Sequence, residues 1–374
     1  MMIIKINETQ YNNLNEAVGV PTNIISVSQQ LYDKMMLELR PKANLDAQFQ
    51  KTINLKGDFQ INEYKFNTIK LSFNVHNLDE YEFDGIEKPK VLLNGMTHHG
   101  KVKMNAKFNY EVNQNMNKIE LSITFVVDND ATSQDVIDEF KKERILMISS
   151  LAHELKHAYD ESVNPIVQTH KRVDYNIGTQ RRFGNIPPLN KLLTYMYFAH
   201  TTENLVRATE VYAALEESGI TKEDFLKFIT NHKVYVAYKD GINLTYEGLK
   251  EELKNIIPQI KQTFDDSGIS YPEDASDDEM VEVTLQVFFK TLLQWKAGSM
   301  SDFLSNGDFM ESLFGFKGAK QRYFDKYLSK ITRFGDDYER FFQYEINQTR
   351  NICLKMTKKL SKIYSLIKDK NPQQ

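Results

Sequence analysis

The spacing of apolar residues divides the chain into segments of different predicted structure. Near the start, apolar residues step by four before a proline, which predicts a helix beginning at a capping box formed by Ser26 and Gln29. These residues are Leu31, Met35 and Leu39, followed by Pro41. A short apolar segment at 3–6 predicts a strand ahead of this helix.

From about residue 51 to 128 the period changes to two, which is typical of strands with one buried face. Three segments alternate apolar and polar residues, at 69–75, 102–112 and 119–127. The Asn-rich segment 113–117 joins the last two and predicts a hairpin loop.

Helical spacing returns after this region and continues to the end of the chain. Thr132, three residues ahead of Asp135, marks the predicted start of a helix whose apolar residues step by three, four or seven. These are Val136, Phe140, Met147, Leu151, Leu155 and Ala158. Later helices are predicted from Leu189, at 202–217 with Gly219 as a cap, and at 221–230, 246–264 and 278–295, with an acidic exposed loop at 265–278.

We therefore expect an α+β protein in three parts. Residues 1–132 form a β-rich N-terminal region, residues 133–220 a helical region, and residues 221–374 a helical C-terminal region. A chain of 374 residues, 41% of them hydrophobic, is long enough for one large or two ordinary domains with their own cores.

One short motif in the central helix indicates chemistry. Side chains four apart on a helix share a face about 5–6 Å apart, so His153 and His157 can bind a single metal ion. Glu154 lies one position round the helix, beside the metal, where a general base would act. Asp160, three residues after His157, either orients the His157 ring or merely ends the helix.

The segment resembles the active-site helix of the zincin metallopeptidases, and the chain resembles metallopeptidases of tailed phages, specifically over residues 133–217. That resemblance implies one Zn²⁺ ion, a metal-activated water and hydrolysis of peptide bonds. It also implies a twisted sheet packed on the motif helix, with an edge strand to which an extended substrate adds by main-chain hydrogen bonds. The strand at 118–128 and the one at 102–112 are the two candidates for that edge.

A catalytic zinc usually has three protein ligands, so two histidines leave the site incomplete. The metzincin pattern is excluded, because its third histidine would fall at Val163. The gluzincin-like solution takes a Glu from a later helix, where Glu203 and Glu210 lie seven apart on one face with Arg207 between them. The phage-type pattern implies Glu203 as the ligand with Arg207 and Glu210 beside it, and Glu210 is the alternative ligand.

Several other side chains are open alternatives. His200, three residues before Glu203, is a candidate ligand or hydrogen-bond donor to the tetrahedral intermediate. Further histidines outside the motif are His98, His99 and His170. Three tyrosines are candidates for stabilising the transition state, with core packing as the simpler interpretation: Tyr195, Tyr197 and Tyr212.

Composition narrows the partners and the compartment. The formal charge of −4 gives no basic field, so nucleic acid is not an expected partner. A single cysteine, Cys353, excludes an intrachain disulfide framework. With no signal peptide expected and no apolar stretch long enough for a membrane span, we expect a cytoplasmic protein, in the host if phage-encoded, with the virion as the alternative location.

The leading hypothesis is a zinc metallopeptidase acting on a protein or peptide substrate. The alternative is a phage structural or assembly protein that keeps a zincin-like domain without turnover and binds other phage proteins, which the large Phe- and Tyr-rich helical C-terminal half favours. A third hypothesis, nucleic-acid binding by the lysine-rich last helix, is less favoured. Such helices usually pack an apolar face and leave their lysines in solvent.

Overall fold

The structure is a computed structural model, and it describes a defined set of residues. These are 20–21, 23–39, 50–62, 64–77, 102–103, 109–113, 118–127, 133–163, 183, 185–199, 201–305, 329, 333–335 and 337–366. The predicted strand at 3–6 lies outside them.

The chain forms two compact units, each built from separate stretches of sequence. The first comprises Met1–Pro165, Leu205–Val234 and Lys358–Gln374, and the second comprises Ile166–Asn204 and Tyr235–Thr357. The predicted parts 1–132, 133–220 and 221–374 are contiguous, whereas these units are not, because segments distant in sequence pack together. Three of their divisions, at 204/205, 234/235 and 357/358, fall inside continuous helices.

A five-stranded mixed sheet lies in the first unit, which makes the protein α+β as predicted. Its strands are β1 (Gln50–Ile61), β2 (Tyr64–Asn77), β3 (Val102–Lys103), β4 (Asn109–Asn113) and β5 (Lys118–Val127). The order is β1-β2-β5-β3, and β4 also pairs with β5. β2 and β5 are parallel, with Ile69 opposite Ile119, and the other pairs are antiparallel.

Local chemistry explains how the first two strands join. Asn62, at the end of the β1–β2 hairpin, has a φ of 51°, and Asn tolerates this left-handed conformation better than most residues. A bulge between Lys56 and Phe59 shifts the register of β1 against β2.

The described helices of the first unit include the one that carries the predicted motif. They are α1 (Ile24–Leu39), α2 (Ser133–Lys142), α3 (Arg144–Val163), α5 (Thr201–Ser218) and α6 (Lys222–Asn231). Both α1 and β4 lie against α3. α5 ends at Gly219, whose φ of 61° confirms the predicted cap, since glycine adopts this conformation without a side-chain clash.

The second unit is helical around an aromatic core. Its helices are α4 (Pro187–Ala199), α7 (Lys233–Asn243), α8 (Tyr246–Lys254), α9 (Ile257–Asp266), α10 (Asp277–Ser305) and most of α11 (Tyr338–Leu366). Phe288, Phe289, Phe341 and Phe342 are fully buried within it. Phe289 meets Phe341 edge to face, with ring centroids 5.6 Å apart, a favoured arrangement of aromatic pairs.

Three helix predictions need correction. α1 begins at Ile24, so Ser26 lies inside it, and Asn23 (φ 65°) accepts a hydrogen bond from Val27 N–H instead. The predicted helix from Thr132 is two helices, α2 and α3, separated at Glu143 within a charged stretch. The predicted helix 246–264 breaks into α8 and α9 because Pro258 has no N–H to donate to the carbonyl of Lys254. α7 lies in the region predicted to be helical, although no bounds were predicted for it.

None of the helices in the described ranges combines the length and the apolar character that a bilayer crossing requires.

Candidate metal centre

The two histidines of the motif lie on one side of α3, as their spacing predicts. Their ring centroids are 4.8 Å apart and their planes are inclined by 75°. His153 is only 5% exposed, whereas His157 is half-buried. Apolar side chains of α3 hold the helix in the interior, among them Met147, Leu151, Leu155 and Ala158, which are all fully buried.

The second helix of the site, α5, is buried on every side. Each residue from 206 to 215 is buried. A helix at the protein surface would instead leave one polar face in solvent. The first residues of α5 are grouped with the second unit, but the helix is continuous, so Glu203, Arg207 and Glu210 occupy one face of one helix. All three are nearly inaccessible, with exposures of 6%, 4% and 1%.

Glu210 links the two helices by a hydrogen bond. Its Oε2 lies 3.2 Å from Nδ1 of His153 and 2.6 Å from Nη1 of Arg207. An ionised carboxylate only accepts hydrogen bonds, and the adjacent guanidinium favours the ionised form. With Glu210 ionised, Nδ1 of His153 donates this hydrogen bond, and in the neutral ring Nε2 is then the nitrogen that can bind a metal.

Three potential ligand atoms converge at this point. One ligand atom each of His153, His157 and Glu203 all lie within 4.8 Å of one another. Zinc bonds of about 2.0–2.1 Å in a tetrahedral site separate ligand atoms by about 3.3 Å, so modest side-chain movements would close the set. Two imidazoles and one carboxylate are a donor set that would fit a divalent metal such as zinc, with a fourth position left for water.

Glu154 differs from the other acidic groups of the site in its exposure. Its side chain is 18% exposed, against 1% for that of Glu210. Its Oε1 lies 4.0 Å from Nε2 of His153, on the side of the ring available for a metal. Glu154 can therefore contact water or a ligand, whereas Glu210 is enclosed by protein.

A second polar group lies further along α3. Asp160 was predicted either to orient His157 or to end the helix. Its Oδ1 instead accepts a hydrogen bond from Lys156 Nζ, and α3 continues to Val163. Lys359 of α11 lies near this pair. Burial, with the ammonium of Lys156, lowers the pKa of Lys359 to about 8, while the Asp160 carboxylate acts in the opposite direction.

The sequence did not predict the burial of Lys359, which we expected to lie in solvent with its neighbours on the last helix. Lys355, Lys358 and Lys362 are indeed exposed. The helical spacing contains the signal, because Lys359 lies three residues from Met356 and four from Ile363, both buried.

The remaining candidates fall into three groups. The first group lies outside the described residues and comprises His98, His99, His170, His200 and the side chain of Tyr197. Tyr195 belongs to the aromatic core, where burial raises its pKa to about 12, so the core-packing interpretation holds for it. Tyr212 is 2% exposed and lies two residues beyond Glu210, which turns it away from that face of α5.

The structure also decides between the two predicted edge strands. β5 lies between β2 and the β3–β4 side of the sheet, so the strand at 118–128 is not an edge. In the described part of the sheet, β3 and β4, from the predicted strand 102–112, lie at the end of the order.

No protein-family model matches the chain, and comparisons with curated proteins and with solved structures give no significant match. The site is therefore interpreted from its own geometry.

Proposed function

We propose that the protein is a zinc-dependent metallopeptidase with a zincin-like centre on α3 and α5. The observation that supports this is the convergence of His153, His157 and Glu203 within 4.8 Å, with Glu154 next to the first histidine. Histidine pairs four apart on a helix are common, but a buried carboxylate from a second helix completing the set is a stronger indication of a metal site.

In this proposal the two glutamates of α5 have different tasks. Glu203 binds the metal through a carboxylate oxygen. Glu210 accepts a hydrogen bond from Nδ1–H of His153, which fixes the orientation and tautomer of that ring. Arg207 neutralises the buried charge of Glu210 by its 2.6 Å hydrogen bond.

Zinc held by these side chains would supply a Lewis acid and lower the pKa of a bound water towards neutrality. Glu154, the accessible carboxylate, accepts the proton of the attacking water and returns it to the nitrogen of the leaving amine. The β3–β4 edge of the sheet, with β4 lying against α3, is our candidate for binding an extended peptide by main-chain hydrogen bonds.

The proposal is tested by metal analysis and proteolysis together. The purified full-length protein should contain one zinc per chain and cleave an unstructured protein such as casein, with activity lost to a chelator and restored by zinc. His153→Ala and His157→Ala should each lose stoichiometric zinc, because each removes one of three ligands. Full zinc occupancy in either variant would refute the ligand set.

Zinc binding without cleavage would show that the metal site is present but that the protein is not a peptidase under these conditions. In that case the alternative of a structural or assembly role would stand, with the metal as a stabilising element. Copurification with virion proteins, unaffected by Glu154→Gln, would support that alternative.

A further inference from the structure

A second ionic contact joins α3 and α5 at some distance from the candidate metal centre. Arg144 is the first residue of α3 and Glu217 lies in the last turn of α5. Nε of Arg144 is 3.3 Å from Oε2 of Glu217. The Glu217 side chain is 7% exposed and that of Arg144 is 40% exposed, so the carboxylate of this ion pair is shielded from solvent while the arginine is partly in contact with it.

The contacts between the two helices form an ordered series. Along α3 they come from Arg144, His153 and then His157, and along α5 they come from Glu217, Glu210 and then Glu203. The residue numbers rise on one helix as they fall on the other, so the helices are antiparallel. At 1.5 Å per residue, Arg144 lies about 14 Å along the axis from His153, and Glu217 about 10 Å from Glu210.

Helix α1 holds both partners of this contact. Asp33 Oδ1 accepts from Nη1 of Arg144 at 3.2 Å, and Gln29 donates to the other oxygen of Glu217. The ring of Tyr32 lies beneath the guanidinium, 4.7 Å from its centroid, an arrangement that favours a cation. The Tyr32 hydroxyl donates to the carbonyl of Phe140 in the last turn of α2, where helix carbonyls lack intrahelical partners.

We propose that Arg144 is a positioning residue whose contact with Glu217 sets the axial register of α5 against α3, so that Glu203 and Glu210 meet the two histidines. The inference rests on the proposed metal site. Functional side chains must be held within about 0.5 Å of their working geometry, whereas a slip of one residue along a helix moves them by about 1.5 Å. The far end of a helix pair is an effective place to prevent such a slip.

The test compares three variants of the full-length protein. Arg144→Met and Glu217→Ala each remove the contact between α3 and α5. Asp33→Ala is the matched control, because it removes a carboxylate from the same guanidinium but leaves that contact in place. Zinc affinity, measured by competition with a chromophoric chelator, should fall about 10–100-fold in the first two, as for residues that orient metal ligands, and stay within about threefold in the control.

A second measurement needs no metal. Nitrogen-15 NMR of the histidine rings in the chelator-treated wild-type protein should show the Nδ1–H form of His153, because Glu210 accepts a hydrogen bond from Nδ1–H. Loss of register should abolish this preference in Arg144→Met and Glu217→Ala but not in Asp33→Ala. If Arg144 only added stability, its substitution would lower the unfolding midpoint and leave the tautomer of His153 unchanged.

The outcomes separate this inference from the proposed function. Unchanged zinc affinity and an unchanged His153 tautomer in both Arg144→Met and Glu217→Ala would overturn the role of Arg144 while leaving the metal site intact. Equal losses in Asp33→Ala would also overturn it, since the contact of Arg144 with the exposed Asp33 would then matter as much as its contact with the buried Glu217. A wild-type protein that binds no zinc would refute the proposed function, and the tautomer comparison would still decide whether Arg144 sets the register. Should one variant fail to fold, the other carries the test.

Discussion

The helix pair α3–α5 and the aromatic core of the second unit bury their side chains in opposite ways. In the helix pair, charged and polar groups are enclosed, with His153, Arg207 and Glu210 all at most 5% exposed. In the aromatic core, phenylalanines pack against one another. Two buried threonines of the same unit, Thr263 and Thr284, donate hydrogen bonds to carbonyls of their own helices.

On the proposed function, the contrast is one between a region that serves stability and a region that serves chemistry. Burying charges carries a large desolvation cost, and replacing a buried ion pair by apolar residues is often neutral or stabilising. Apolar burial, in contrast, is the dominant favourable contribution to folding. The polar interior of α3 and α5 is therefore best explained by a task other than stability, and the aromatic core by stability itself.

The largest expected effect concerns the accessible carboxylate. Glu154→Gln keeps the shape of the side chain and removes the base, so turnover should fall by about 10²–10⁴-fold while zinc content stays at one per chain. Initial rates of peptide cleavage and metal analysis of the same preparation check this. Undiminished turnover would leave the proposed mechanism without its base.

A stability change of comparable size is expected in the aromatic core. Leu285→Ala should lower the free energy of unfolding by about 2–5 kcal/mol, because Leu285 is fully buried and leaves a cavity. Leu226→Ala makes the same chemical change at a position 71% exposed and should stay within about 0.5 kcal/mol. Denaturant titrations measure both. Zinc content of the folded Leu285→Ala protein should be unchanged, and its loss would show that the two regions are not separable.

The next effect distinguishes the two glutamates of α5. Glu203→Gln should empty the site at micromolar free zinc, because an amide is a poor zinc ligand. Glu210→Gln should keep the metal but weaken its affinity or the cleavage rate by about 10–100-fold. Arg207→Ala should resemble Glu210→Gln, since Arg207 acts through that carboxylate. The opposite ranking in equilibrium dialysis would make Glu210 the ligand.

The smallest effect concerns Lys359, where a buried charge lies near Lys156, Asp160 and Lys362. Its pKa falls from 10.5 in the unfolded chain to about 8 in the folded protein. Between these values the unfolded chain binds more protons, so stability should rise with pH from about 8 to 10.5 and be lowest below 8.

Lys359→Met should therefore stabilise the protein at pH 7 by about 1–2 kcal/mol, allowing for partial solvation, and the gain should vanish above pH 10. Lys358→Met, at an exposed neighbouring position, is the control. The free energy of unfolding is measured at several pH values for both proteins. A difference between wild type and Lys359→Met that does not change with pH would contradict the lowered pKa of Lys359.

Sequence patterns predicted the local parts of this structure well. Period-two spacing located β2 and β5, and helical spacing with Gly219 located α5, because such patterns reflect which face of an element is buried. The spacing of His153 and His157 placed both rings on one face of α3. The two glutamates of α5 were recognised by their separation of seven.

Long-range contacts were beyond that reasoning. Arg144 meets Asp33 across 111 residues of sequence, and Gln29 meets Glu217 across 188. No periodicity relates such positions, so the role of α1 could not be predicted. Apolar spacing continues across the breaks between α2 and α3 and between α8 and α9, so it does not predict them. At the second break the missing N–H of Pro258 outweighs that spacing.

The burial of residues 206–215 of α5 has a consequence for assembly. A helix enclosed over this length is packed only together with its surroundings, and Glu203 lies on the same helix. The nascent chain thus holds two histidines from one segment and lacks the carboxylate from the other until tertiary structure is complete. On the proposed function, hydrolytic competence would arise in the same step as the native fold, and an unfolded copy would be a substrate before it could be an enzyme.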